Sequence, residues 1–381
     1  IYTLSLHDAL PIWFSGRIEP VKCRCRCALG RADRSRMAGL FHAAGRRADV
    51  NHSPPVGQTV PMSNALARRE PEEVALLTGP RAASVLAAAL APAGQRLESW
   101  EVHSVHHRPG AGVSVGYTAV VLSPDGRRRT EYLCATTARL SNPQAPGLTR
   151  VAPTGGDGPP VHVWRHPADP ELPALAVACT PSLLSRRLGA QVKATMVAYR
   201  PTRRAVVRVT YTDQTTSYAK VLPPGHSRAF AERHRMLLAA GVPAPEVLRD
   251  DPDGLVLLST GRGVALSGLL SRGMDVRRAE RVFASLTHLL DSLPASALQL
   301  EAHPAWSERA RHYAHAAATV LPEHAARARA VADGVEQLMA SSDPGPIVPV
   351  HGDFYEANVL MEGEGVASLL DVDSLGPGRR G

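Results

Sequence analysis

Apolar residues follow a helical pattern through Glu72–Leu90, and Pro92 and Gly94 end it, which predicts one helix there. Trp100–His107 and Val113–Leu122 are instead strand-like and flank Arg108-Pro-Gly-Ala-Gly112. Ser123-Pro-Asp-Gly126 has turn composition, and Thr130–Thr137 reads as a third strand. Asn142–Pro160 is dense in Pro and Gly and predicts a long connection. Strand patterning returns over Gln191–Tyr199, Ala205–Tyr211 and Thr216–Leu222, the first two joined by Arg200-Pro-Thr-Arg-Arg204. Arg228–Ala240 reads as a helix ended by Gly241 and Pro243, and Leu255–Ser259 as a buried strand of continuous apolar character. Arg277–Leu293 and Ser307–Met339 are helical, the second broken at Pro322. The apolar runs Pro346–Val350, Val359–Met361 and Val366–Leu370 then bring strands back, with a turn at Gly363–Gly365.

Strands first, then helices, then strands again make an α+β, two-lobed pattern rather than an alternating βαβ one. The expected divisions are a leader over 1–61, a region with antiparallel strands over 62–190, a strand-rich lobe over 191–262 and a largely helical lobe over 263–381. Hydrophobic residues make up 44% of the 381, enough for a sizeable core. No apolar run reaches bilayer length and no secretory pattern is present, so membrane partners are not expected. Cys134 and Cys179 lie far apart and suggest no disulfide framework, which points to a reducing cytoplasm.

The formal net charge of +8 would fit a nucleic-acid partner, but its distribution argues otherwise. Residues 1–61 hold nine Lys/Arg against four Asp/Glu, whereas the rest of the chain holds 34 against 31. Only 4% of residues are aromatic, which leaves few stacking platforms for single strands. The basic leader is itself suspect. Three of the four isoleucines lie in the first eighteen residues, and Ile1–Ile12 resembles a translated sequencing adapter, so the expected start is Met62. Cys23, Cys25 and Cys27 lack the paired spacing of zinc sites and are expected to be accidental. His103, His106 and His107 have no evident carboxylate or Cys partner and are read as polar strand positions.

Candidate chemistry concentrates at His351-Gly-Asp-Phe-Tyr-Glu-Ala-Asn358 and at Asp371-Val-Asp373. An acid and an amide sit on a loop between strands, and two acids end the next strand. Phosphoryl transfer uses such an inventory: one carboxylate for the acceptor hydroxyl, and hard oxygen ligands for Mg²⁺ against the phosphates. Upstream, Lys220 lies on a strand and Glu232 on the following helix. The chain has only three lysines against forty arginines, and only four asparagines, so Lys220 and Asn358 stand out.

These residues resemble the aminoglycoside phosphotransferase and choline kinase group, within the protein-kinase-like fold. Its loop H-G-D-x-x-x-x-N is matched by His351 to Asn358, and its strand-end Asp by Asp371. The resemblance implies Asp353 as catalytic base, Asn358 and Asp371 as Mg²⁺ ligands, His351 as a loop anchor, and a further metal or substrate role for Asp373. It implies ATP as phosphoryl donor, with Lys220 and Glu232 at its phosphates and the Ser259–Gly261 hinge at its adenine. The nucleotide-covering loop departs from the kinase pattern, because Arg200–Arg204 contains no Gly. The resemblance covers about Gln191 onward, and 62–190 loosely resembles the cap of maltokinase-like enzymes. The second lobe is expected to be incomplete, since the chain stops ten residues after Asp371. A small hydroxylated acceptor follows, with aminoglycoside, sugar and amino alcohol all open and the oligomeric state unknown. The alternative is a nucleotide-binding pseudokinase or regulatory module without turnover.

Overall fold

The computed structural model describes residues 64–108, 110–152 and 160–380. The leader, with its cysteines and adapter-like segment, lies outside them. Helix α1 (Asn64–Thr78) and helix α2 (Ala82–Leu90) replace the single helix expected over Glu72–Leu90. The break falls at Gly79-Pro80: a proline disfavours helical geometry in the residue before it and lacks the N–H that would continue the ladder.

Both helices cover a five-stranded antiparallel sheet made of β1 (Arg96–Arg108), β2 (Gly112–Leu122), β3 (Arg128–Thr136), β4 (Thr149–Val151) and β5 (Val161–Arg165), in the order β1-β2-β3-β5-β4. Alternation in β2 turns Val113, Val115, Tyr117, Ala119 and Val121 to the helices, where Leu77 and Leu86 meet them. The Tyr117 hydroxyl donates to Leu77 O at 2.6 Å, so the ring is buried without stranding its polar end. Strand β4 lies inside the stretch expected to be loop. It is three residues long, too short for a periodic signal.

Two short helices, α3 (Leu175–Cys179) and α4 (Pro181–Leu188), lead to a second antiparallel sheet. Its strands are β6 (Val192–Arg200), β7 (Arg204–Tyr211), β8 (Thr216–Val221), and, after helix α5 (His226–Ala239), β9 (Val247–Asp250) and β10 (Leu255–Ser259). The order is β6-β7-β8-β10-β9. Its two faces are used differently. Ala205, Val207, Val209, Ala219, Val221, Leu255 and Leu257 pack under Leu172, Leu175 and Leu184 from the α3–α4 segment. Val256 and Leu258 face the other way, into a core shared with Phe230 and Leu237 of α5 and with Val359, Met361 and Leu369 further on.

The remainder holds β11 (Val264–Ala265), α6 (Leu266–Leu270), α7 (Val276–Asp291), α8 (Ala310–Val320), α9 (Ala325–Ser341), β12 (Val348–Val350), β13 (Val359–Glu362), β14 (Gly365–Leu369) and β15 (Gly376–Gly378). Asp275 caps α7, accepting from Arg278 N at 2.9 Å. Strands β11, β13 and β14 form one small sheet, and β12 and β15 pair separately. The expected α+β architecture is therefore observed. Among the described residues no single helix is long and apolar enough to cross a membrane.

Candidate active site

The β13–β14 hairpin brings the two halves of the motif to one end. Val359 pairs with Leu369, and Leu370 N donates to Asn358 O at 2.8 Å, so Asn358 and Asp371 leave the hairpin side by side. The loop from β12 is anchored by His351, whose ring is almost fully buried and whose Nε2 lies 2.9 Å from Leu370 O. A carbonyl only accepts, so Nε2 carries the proton. Burial holds the ring's pKa below the usual histidine value, which keeps it neutral.

Gly352 has φ 81°, and a Cβ there would lie 2.5 Å from Ser374 O and 2.6 Å from Ser374 Cβ. Only glycine lets this loop close on the turn that follows Asp371. Asp371 itself is held at φ 54°, ψ 54°, a left-handed conformation uncommon for a residue with a side chain. Asn358 is 5% exposed, and its Nδ2 donates to Asp353 O at 3.0 Å. That bond uses one of the amide's two N–H donors and leaves Oδ1 to accept.

The facing wall comes from the second sheet. Lys220 of β8 is 6% exposed, with Nζ 3.0 Å from Asp371 Oδ1, 2.5 Å from Asp373 Oδ2 and 4.2 Å from the centre of the Phe230 ring. Arg204, the first residue of β7, places Nη1 3.5 Å from Asp371 Oδ1 and 3.9 Å from Asp373 Oδ2. Burial alone would favour a neutral Lys220, but Asp373 and then Asp371 outweigh it and raise its pKa. Burial likewise opposes the charge of Asp371, yet Lys220 above all holds its carboxyl well below the usual range. Asp373 is pushed up, first by burial and further by the charge of Asp371, so Asp371 is the stronger acid of the two. Asp353 is half-buried and also raised, by burial and then by Asp371. Tyr355 is pushed up to about 12 by burial and by the charges of Asp353 and Asp371. Asp353, Tyr355, Arg204 and Asp371 thus sense one another in a single electrostatic neighbourhood.

The phosphotransferase enzyme family matches this chain over residues 200–380. The likeness to that family is carried by this segment. The resemblance drawn from the His351–Asn358 loop and Asp371 is borne out. Solved structures similar to the chain include the macrolide 2′-phosphotransferase of Brachybacterium faecium, 19% identical over 51% of this chain and 72% of that one, with a TM-score of 0.35. An aminoglycoside phosphotransferase in complex with ADP and hygromycin B is 16% identical over 52% and 72%, with a TM-score of 0.35. The ethanolamine kinase of Plasmodium vivax is 14% identical over 50% and 58%, with a TM-score of 0.35. No curated protein matches the chain significantly in sequence.

Within the phosphotransferase segment, one expected pairing is not formed. Glu232 does not reach Lys220: it binds Arg228 at 2.9 Å on the exposed side of α5. The inward face of the helix is Ser227, Phe230, Ala231, His234 and Leu237, which puts Glu232 on the other side. Lys220 takes its acids from beyond β14 and stands over the ring of Phe230 instead.

The hinge residues are placed between the sheets. Ser259 ends β10, where its Oγ accepts from Glu246 N at 2.8 Å. A Cβ on Gly261 would come within 2.9 Å of Leu360 Cδ1 and 3.2 Å of Leu370 Cδ2. The strand histidines have ordinary partners: His103 Nδ1 lies 3.0 Å from the Tyr132 hydroxyl, and His107 Nε2 lies 3.3 Å from Glu70.

The donor set suits a hard cation. Among the described residues no group of three or more His, Cys, Asp or Glu side chains forms a self-contained metal cage. Mg²⁺ does not require one, because it is commonly held by one or two carboxylates together with water and substrate phosphates. Asp371 and the Oδ1 of Asn358 are oxygen donors of that kind, on residues brought together by the backbone bond from Leu370 N to Asn358 O. The sequence offers Arg203 or Arg204 as a phosphate contact but favours a surface position for either; the pairing register is what singles out Arg204.

Proposed function

We propose that this phosphotransferase moves the γ-phosphoryl group of ATP to a hydroxyl of a small molecule. The observation that supports it best is the meeting of Lys220 with Asp371 beside the loop that carries Asp353 and Asn358. In this reading 191–262 and 263–381 are the two lobes around the nucleotide, and 62–190 is an accompanying cap. Lys220 leaves the acids to bind the nucleotide's phosphates, and Ser259–Gly261 meets its adenine. Asn358 and Asp371 hold Mg²⁺, which when bound neutralises charge on the phosphates. Asp353 accepts a hydrogen bond from the acceptor hydroxyl and takes up its proton. An upward shift makes it a stronger base than an ordinary Asp, a role that contributes about 10²–10⁴ in rate. His351 keeps the loop in register without touching the reactants. The acceptor is an aminoglycoside, a sugar or an amino alcohol, and the cytoplasm, where ATP is plentiful, is the expected compartment.

The test is ATP consumption against a panel of aminoglycosides, hexoses and amino alcohols, with the wild-type chain and with Asp353→Asn. Turnover with at least one acceptor is expected, together with a loss of at least ~100-fold in the variant while Mg-ATP binding persists. Undiminished turnover in Asp353→Asn would remove Asp353 from the role of base.

A further inference from the structure

We infer that Arg204 is a second phosphate-binding cation of the nucleotide site, presented by a loop that Asp169 holds in place. This rests on the ATP-dependent reading above and adds to it the residue that does the work of the missing glycine-rich loop.

Strand register supplies the first argument. Ala205, Val207 and Val209 are buried under the α3–α4 segment, so Arg204, Val206 and Arg208 face the opposite side. Val206 is the register partner of Lys220, and cross-strand partners share a face. Arg204 and Lys220 therefore point the same way from adjacent strands, and both reach Asp371 and Asp373. Two cations balance two acids. An arriving triphosphate brings oxygens that compete for both cations, and the planar guanidinium fork suits two phosphate oxygens at once.

The state of the loop supplies the second. Backbone N–H groups cannot wrap a phosphate here as they do in a glycine-rich loop, because two of them are already used. Thr202 N donates to Asp169 Oδ2 at 2.8 Å, and Arg203 N donates to Arg200 O at 3.0 Å. A side chain must then supply the donors, and Arg204 is the one over the acids.

Asp169 is what fixes that turn. It is 4% exposed. Its Oδ2 also accepts from the Tyr199 hydroxyl at 2.6 Å, and its Oδ1 from Glu171 N at 2.9 Å. A buried carboxylate must be hydrogen-bonded, and two of its three donors belong to the β6–β7 hairpin. They hold Thr202 at φ 62°, a left-handed conformation that a non-glycine residue adopts only under such constraint. Asp169 is a positioning residue, acting on the phosphates only through Arg204.

The test is calorimetric titration of the full chain with adenosine, ADP and ATP in the presence of Mg²⁺, for wild type, Arg204→Ala, Arg204→Lys, Asp169→Asn and the Asp169→Asn/Arg204→Ala double variant. Loss of a charge-assisted contact predicts that Arg204→Ala weakens ATP by ~10-fold or more, leaves adenosine unchanged, and is partly rescued in Arg204→Lys. Asp169→Asn weakens ATP in the same direction, and the double variant binds no worse than Arg204→Ala alone. ATP affinity within about twofold of wild type in Arg204→Ala would overturn the role of Arg204, and additive losses in the double variant would overturn that of Asp169. Failure of the wild type to prefer ATP over adenosine would instead overturn the ATP-dependent reading itself, whatever the variants do.

Discussion

The Lys220 ammonium lies 3.0 Å from Asp371 Oδ1, across 151 residues of chain. Lys220→Met removes the nearer of two cations and leaves Asp371 and Asp373 with Arg204 alone. Breaking such a pair costs on the order of 3 kcal/mol, which chemical denaturation would register. Lys220→Arg keeps the charge and should recover most of that stability. It should not recover ATP affinity fully, because a fork replaces a point charge.

Gly352→Ala places a methyl group against Ser374 and demands a left-handed conformation from alanine. The loop and the Asp371 turn must then separate. A destabilisation of about 1–3 kcal/mol is expected, seen as a lower denaturation midpoint, together with loss of Mg-ATP binding. An unchanged midpoint would show that this packing is not needed.

The local part of the site was legible in the sequence, because His351, Gly352, Asp353, Asn358 and Asp371 lie within 21 consecutive positions and two strands bracket them. Lys220 was legible for another reason: in a chain this poor in lysine, one on a strand is conspicuous. What failed was anything that depends on phase. Glu232 is near enough to Lys220 in sequence, but the rotation of α5 is set by Phe230, His234 and Leu237 seeking the core. Arg204 depends on which face of β7 is buried, and that is decided by α3 and α4, whose short segments carry no clear period. The Gly79-Pro80 break was readable from its residues, and the apolar run around it hid it.

Glu232→Gln tests that correction. An exposed i,i+4 pair with Arg228 contributes little, so stability should change by less than about 0.5 kcal/mol. ATP affinity should not change at all. A tenfold loss in ATP affinity, measured by titration, would restore Glu232 as a partner of Lys220.

His234 gives the fold a pH dependence. Burial lowers its pKa to about 4, its Nδ1 lies 2.8 Å from Pro245 O, and its Nε2 has no partner among the described residues. The unfolded chain binds the proton near pH 6.5, the folded chain only near 4. Between those values the unfolded state holds more protons, so stability falls as pH falls through that window and is complete above it. The contribution is on the order of 3 kcal/mol. Denaturant titrations from pH 7.5 to 4.5 should show it, and His234→Asn, which can still donate to Pro245 O, should flatten that slope.

The most direct test of the central claim is titration of the full chain with ATP, with and without Mg²⁺, for wild type and for Asp371→Asn. Wild type should bind saturably and more tightly with the metal. Asp371→Asn should lose that metal-dependent gain yet stay folded, because Lys220 keeps Asp373, at a stability cost on the order of 3 kcal/mol. Absence of saturable ATP binding, or an unchanged metal-dependent gain in Asp371→Asn, would contradict the assignment of this site.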